Sequence, residues 1–167
     1  MSDVQNAVRK HGRDGIPRRL KSNQMNDTNR SAGKRRLLMV EDDPIIGAVC
    51  LRILDRSGFD VTLASDGRVA LKLLGENTFD ICLCDVRTPA INGIELYGCI
   101  CESFNYLSQH VVFMTGDVLS QNIHEFTRKN GCQLLHKPFT TDDLMTAVNS
   151  SGLNSRMGEE HLWIKSE

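Results

Sequence analysis

This sequence contains no run approaching the roughly 18 uninterrupted apolar residues of a membrane span, and its N-terminus has no apolar secretory segment. We therefore expect neither a membrane span nor export, and a cytoplasmic setting is the expectation. The common cysteine spacings of zinc and redox motifs are also missing. Cys50, Cys82, Cys84, Cys99, Cys101 and Cys132 include two pairs separated by a single residue, and all six read as small buried hydrophobes. There is no internal repeat and almost no net charge, −1 overall. With 167 residues and 40% hydrophobic content, the chain can bury one ordinary core.

The small net charge hides an uneven distribution. Residues 1–36 hold ten Lys/Arg against three Asp/Glu, so the remainder is about eight charges negative. The basic stretch is rich in Asn, Ser, Arg and Gly and has no hydrophobic period, which predicts a disordered arm over 1–34. A solvated tail is its simplest reading; contact with an acidic partner, nucleic acid or acidic lipid is the functional one. The expected division is arm 1–34, folded domain 35–151 and tail 152–167, the tail carrying Leu162-Trp163-Ile164.

Within the domain, apolar and amphipathic segments alternate. Leu37 to Val40, Ile81 to Leu83 and Val111 to Met114 read as strands buried on both faces, residues 59–64 as a half-buried strand, and Cys132 to His136 as a fifth. Asp43-Pro44 predicts a helix start, with Ile45, Ile46, Val49, Cys50, Ile53 and Leu54 as its apolar stripe and Ser57-Gly58 as its end. Asp66 caps a second helix running to Gly75. A third carries Ile94, Tyr97, Cys101 and Phe104, and a fourth carries Leu119, Ile123 and Phe126 and closes at Asn130-Gly131. Thr140 and Asp143 form a capping-box start for the last helix. Five βα units with right-handed crossovers predict an α/β fold, a doubly wound five-stranded parallel sheet, and are too few for an eight-stranded barrel.

Such sheets bind ligands at the carboxyl ends of their strands. There the sequence places Glu41-Asp42-Asp43, Asp85, Thr115 and Lys137. Glu41, Asp42 and Asp85 would repel one another unless a cation intervenes, and Mg2+ suits oxygen ligands of this kind. A carboxylate beside Mg2+ can attack a phosphoryl donor to give an aspartyl phosphate. The three equatorial oxygens in transit need neutralising. The cation, the Lys137 ammonium and the Thr115 hydroxyl with nearby N–H groups can share that work. Taken singly, each residue also fits a bland role as cap, turn hydroxyl or surface cation.

Over residues 35–151 the sequence resembles the receiver domain of two-component response regulators. The resemblance is carried by Val40-Glu41-Asp42-Asp43-Pro44, by Asp85-Val86-Arg87-Thr88-Pro89 with Asn92-Gly93, by Phe113-Met114-Thr115-Gly116 and by His136-Lys137-Pro138-Phe139. It implies a flavodoxin-like (βα)5 fold with strand order 2-1-3-4-5. It also implies phosphorylation of Asp85 by a sensor histidine kinase or histidine phosphotransfer protein, with Thr115 and Lys137 completing the catalytic set. Mg2+ would be held by Asp42, Asp85 and the Arg87 main chain, with Glu41 acting through water. A cis Lys137–Pro138 peptide is implied as well. One position departs: three residues before the lysine the family carries an aromatic switch, and this chain has Leu134. That compact side chain should stay buried and change little on phosphorylation.

Because few residues follow Lys137, no DNA-binding domain is expected, and output would run through an unknown downstream protein target or a phosphorelay. The domain would be a self-phosphorylating and self-dephosphorylating signalling module rather than an enzyme with an external substrate. Alternatives are a phosphorylation-independent adaptor, a haloacid-dehalogenase-like phosphatase and a flavin-binding flavodoxin relative. The phosphatase would have a second aspartate where Arg87 stands. The flavodoxin relative would need a hydroxyl- and glycine-rich loop where the three acids stand.

Overall fold

The structure, a computed structural model, describes residues 33–117 and 119–151. Eleven elements follow in order: β1 (Arg35–Val40), α1 (Pro44–Arg56), β2 (Phe59–Ala64), α2 (Gly67–Glu76), β3 (Ile81–Asp85), α3 (Gly93–Ser103), a short 3-10 helix (Asn105–His110), β4 (Val111–Thr115), α4 (Gln121–Asn130), β5 (Gln133–His136) and α5 (Thr141–Ser150). All strand pairs are parallel and the order is β2-β1-β3-β4-β5. This is the α/β doubly wound sheet that the alternating segments predict. Among the described residues, no helix is long and apolar enough to cross a membrane.

Helix boundaries follow from local chemistry. Asp43 accepts hydrogen bonds from the Ile45 and Ile46 N–H groups, and Asp66 from those of Arg68 and Val69. Asn92 with Glu95, and Thr140 with Asp143, form complete capping boxes. Gly131 ends α4 at φ +67, a left-handed conformation that a Cβ would strain.

The alternation of side chains along each strand divides the core in two. On one face, Leu38, Val40, Cys82, Cys84 and Phe113 pack against α2 and α3; on the other, Leu37, Met39, Leu83 and Met114 pack against α1 and α5. Tyr97, Phe113 and Phe126 meet edge to face with ring centroids 5.6 to 5.8 Å apart, which ties α3, β4 and α4 together.

Several expectations need correction. The α1 stripe is narrower than its periodicity suggests: Cys50 and Leu54 are buried, whereas Ile45 is 74% exposed and Val49 is exposed too, because the sheet covers only one side of the helix. Leu119 lies before α4 rather than in it and is 87% exposed. Helix α2 runs through Gly75 to Glu76, and the 3-10 helix was not foreseen. Of the six cysteines only Cys50, Cys82 and Cys84 are buried; Cys99 and Cys132 are half-buried and Cys101 is exposed. Leu134 packs against the first core but is half-buried rather than enclosed, since β5 is an edge strand. Most of the expected arm and the whole expected tail, including Leu162-Trp163-Ile164, lie outside the described residues.

Candidate functional site

Register is what assembles the site. Val40 lies opposite Cys84, Asp85 opposite Met114, and Thr115 opposite His136, so the residues that leave β1, β3, β4 and β5 emerge side by side at one sheet end. The main chain continues the ladders past the strands: the Glu41 N–H donates to the Ala64 carbonyl at 3.0 Å, Val86 N–H to Met114 at 2.9 Å and Lys137 N–H to Thr115 at 2.7 Å.

Glu41, Asp85 and Thr115 are buried there, while Asp42 is exposed. Carboxylate oxygens of Glu41, Asp42 and Asp85 all lie within 4.8 Å of one another. The Lys137 ammonium, with its side chain only 16% exposed, donates to Glu41 Oε2 at 2.6 Å and to Asp85 Oδ2 at 2.5 Å. Burial pushes the Glu41 carboxyl above its ordinary value, and the hydrogen bond and charge of Lys137 only partly oppose this. Burial also disfavours the charged lysine, but hydrogen bonds and charges from Asp85 and Glu41 win and hold its pKa above the usual one. The cluster is thus a buried, hydrogen-bonded charge triad with one open acidic corner at Asp42. An all-oxygen donor set of three carboxylates, one reached from solvent, fits a hard divalent cation such as Mg2+.

The loop after β3 is shaped to keep Asp85 in place. The Arg87 N–H donates to Asp85 Oδ1 at 2.8 Å and the Gly93 N–H to the Val86 carbonyl at 3.1 Å. Thr88 Oγ1 donates to the Ile91 carbonyl at 2.9 Å, and Ala90 takes a left-handed φ of 65°. Two glycines let backbones approach this loop: a Cβ at Gly93 would lie 2.7 Å from the Asp85 carbonyl oxygen, and one at Gly67 would lie 2.4 Å from that of Ile91. Gly93 belongs to the Asn92-Gly93 pair that carries the family resemblance, whereas Gly67 was not singled out from the sequence; its signal was weak, a glycine directly after a helix cap.

Across the mouth, the Arg87 guanidinium donates to Asp117 Oδ2 at 2.8 Å, linking the loops after β3 and β4. The Asp117 N–H donates to Thr115 Oγ1 at 3.1 Å, which orients that hydroxyl. Arg87 therefore faces the acids with its main chain and turns its charge to the rim. The Lys137–Pro138 peptide is cis. Five residues expected at the site, Glu41, Asp42, Asp85, Thr115 and Lys137, stand at neighbouring strand ends, and Arg87 borders them.

Comparison with known proteins bears on this arrangement. The sequence profile described as "Response regulator receiver domain" matches residues 37–149. Transcription factor SKN7 of Saccharomyces cerevisiae is 32% identical over 108 residues, which is 65% of this chain and 17% of that protein. The transcriptional regulatory protein YrkP of Bacillus subtilis is 33% identical over 113 residues, 68% of this chain and 47% of that one. Among solved structures, the receiver domain of the Pseudomonas aeruginosa sensor histidine kinase PA1611, described with a magnesium ion coordinated in its active-site cleft, is 27% identical. It superposes with a TM-score of 0.62 over 71% of this chain and 97% of that domain. This chain spans less than half the length of either curated relative. These relatives overturn the expectation that DNA-directed output is excluded. They are proteins of transcription control, and the matched region is only their receiver part, so the residues following Lys137 do not define the output.

Proposed function

Because this chain belongs to the response regulator receiver-domain family, we propose that Asp85 accepts a phosphoryl group from a phosphohistidine of a kinase or phosphotransfer protein. The observation that carries this reading is the Lys137 ammonium hydrogen-bonded to both Glu41 and Asp85 beside the buried Thr115. Receiver domains are signalling domains, and in this reading residues 35–151 form the domain that is switched.

The transfer is balanced. An Asp85 carboxylate oxygen attacks phosphorus, the phosphorus–nitrogen bond to the donor imidazole breaks, and the imidazole leaves with the bonding pair and takes up a proton. Lys137 is already in contact with Asp85 Oδ2 and neutralises charge on the incoming group. The Thr115 hydroxyl, held by the Asp117 N–H, donates to a second phosphoryl oxygen. Glu41, Asp42, Asp85 and the Arg87 main-chain carbonyl would hold Mg2+, which when bound screens the remaining negative charge. Hydrolysis of the acyl phosphate returns the domain to its resting state. The phosphorylated domain then acts by altered contacts with a target or by passing the group on. A cytoplasmic setting belongs to this proposal and suits a chain whose described cysteines are all free thiols.

Incubation with acetyl phosphate and Mg2+ tests it. Intact mass should rise by one phosphoryl group, peptide mapping should place it on Asp85, and Asp85→Asn should abolish it. A phosphorylation-independent adaptor would show no label, and label surviving in Asp85→Asn would overturn the assignment.

A further inference from the structure

Two imidazoles meet beside the site without belonging to it. His136 is the last residue of β5 and precedes Lys137, whereas His124 lies in α4, so each ring is carried by a different element. Their ring centroids are 5.0 Å apart and the planes are tilted by 31°. Side chains alternate along a strand, and Leu134 packs against the core cluster that holds Phe113, so His136, two residues on, points to that same side of the sheet. His136 is half-buried, and its Nδ1 is buried with no hydrogen-bond partner among the described residues. His124 is exposed, so solvent reaches the pair from the α4 surface.

We propose that His124 and His136 form a site for a divalent transition metal of the Zn2+, Ni2+ and Cu2+ class, bridging α4 to β5, with waters filling the remaining coordination positions. A buried ring nitrogen without a partner calls for a water or an ion, and a second imidazole alongside favours the ion. An ion about 2.0–2.1 Å from one nitrogen of each ring, with the two ligands between a right angle and a tetrahedral angle, sets the ring centroids roughly 4.5–5.2 Å apart. The observed 5.0 Å falls within that range. The exposed His124 ring is the part that turns to present its nitrogen. Donor chemistry separates this site from the acidic one: imidazole suits Zn2+, Ni2+ and Cu2+, whereas carboxylate and water suit Mg2+. The bridge would fasten α4 to an edge strand at the residue before Lys137, in register with Thr115.

The test is a Zn2+ titration of the full chain in excess Mg2+, followed by the imidazole NMR resonances and by Tm. The expected result is a set of shifts at His124 and His136 that saturate together, with a Tm that rises with Zn2+ and falls back on chelation. His124→Gln and His136→Gln should each weaken binding at the remaining ring by at least about tenfold, since even the outer-shell partners of a metal ligand contribute that much. His110→Gln is the comparison: its Nδ1 is likewise buried and unpartnered, but it lies before β4 at the other end of the sheet, and its loss should leave the shifts intact. Cys101→Ser should leave them intact too, which separates the pair from an exposed thiol. Shifts at only one of the two rings, the same shifts with Mg2+ alone, or binding unaltered in His124→Gln would overturn the proposal. If His136→Gln fails to fold, His124→Gln, a change at an exposed position, still decides it. The titration does not involve phosphorylation, so acetyl phosphate labelling of the same samples distinguishes failure here from failure of the phosphoryl-transfer reading.

Discussion

The two ends of the sheet hold similar charged residues in opposite circumstances. At the amino ends of the strands, Arg36 lies 3.9 Å from Asp60, reaches Asn77 and Thr78, and covers the Phe79 ring at 5.3 Å. Arg35 covers Phe59 in the same way at 5.6 Å. These cations sit over aromatic rings at the protein's surface, and the Arg36–Asp60 pair is largely exposed. At the carboxyl ends, Lys137 and two carboxylates are withdrawn from water and have mainly one another. Ion pairing as such does not distinguish the ends; desolvation does. Exposed pairs contribute about 0 to 1 kcal/mol, whereas breaking a buried pair leaves a charge that nothing compensates.

The strongest way to break this contrast is Lys137→Ala. Removing the cation from between Glu41 and Asp85 should slow phosphoryl transfer from acetyl phosphate by about 10²- to 10³-fold, measured as the labelling rate at fixed Mg2+. Next is Gly93→Ala, whose new methyl would press on the Asp85 carbonyl. It should cost about 1–3 kcal/mol in urea unfolding and shift the Asp85 and Val86 amide resonances. A similar effect from alanine at exposed Gly116, where a Cβ meets nothing within 4 Å, would remove the distinction between a packed and an open loop.

Glu41→Gln sharpens the contrast through pH. Because burial raises the Glu41 pKa above its unfolded value, its contribution to stability is complete below about pH 4.5 and is lost as pH rises through the folded value. The neutral amide should therefore raise Tm at pH 7, with a gain that shrinks to nothing near pH 4. The mirror effect at high pH belongs to Lys137: its pKa is also raised, so its stabilisation holds through neutral pH and is lost only above the ordinary lysine range. The smallest effects belong to exposed pairs. Arg36→Ala and Arg87→Ala should each change stability by no more than about 1 kcal/mol. They differ in chemistry, since only Arg87→Ala and Asp117→Ala open the site's mouth and should shorten the acyl-phosphate lifetime. Equal hydrolysis rates in wild type and both rim variants would reduce the Arg87–Asp117 bridge to another solvated pair.

What could be read beforehand divides along physical lines. Strand ends and helix starts were legible because a buried strand needs an uninterrupted apolar run and a cap needs one short polar side chain at one position, as at Asp43, Asp66 and Thr140. Parallel topology then brought Glu41, Asp85, Thr115 and Lys137 to one edge. Exposure was less legible: Ile45 and Leu119 match a helical period, but only the packed sheet shows how much of that face is covered. Close backbone contacts between remote segments were not legible. Gly67 against Ile91 has no local signature. Reading output from the residues after Lys137 failed for another reason: where a sequence stops carries no physical information about what a receiver controls.

The parallel order has one more consequence. Strand β1 begins, and the returning helix α5 ends, at the side of the molecule remote from Asp85. A five-residue strand spans about 17 Å. Sequence attached at either margin of the fold is therefore joined to it about a strand's length from Asp85, on the opposite rim of the sheet. The same distance means that a change at Asp85 reaches either point of attachment through the strands or the flanking helices rather than by direct contact.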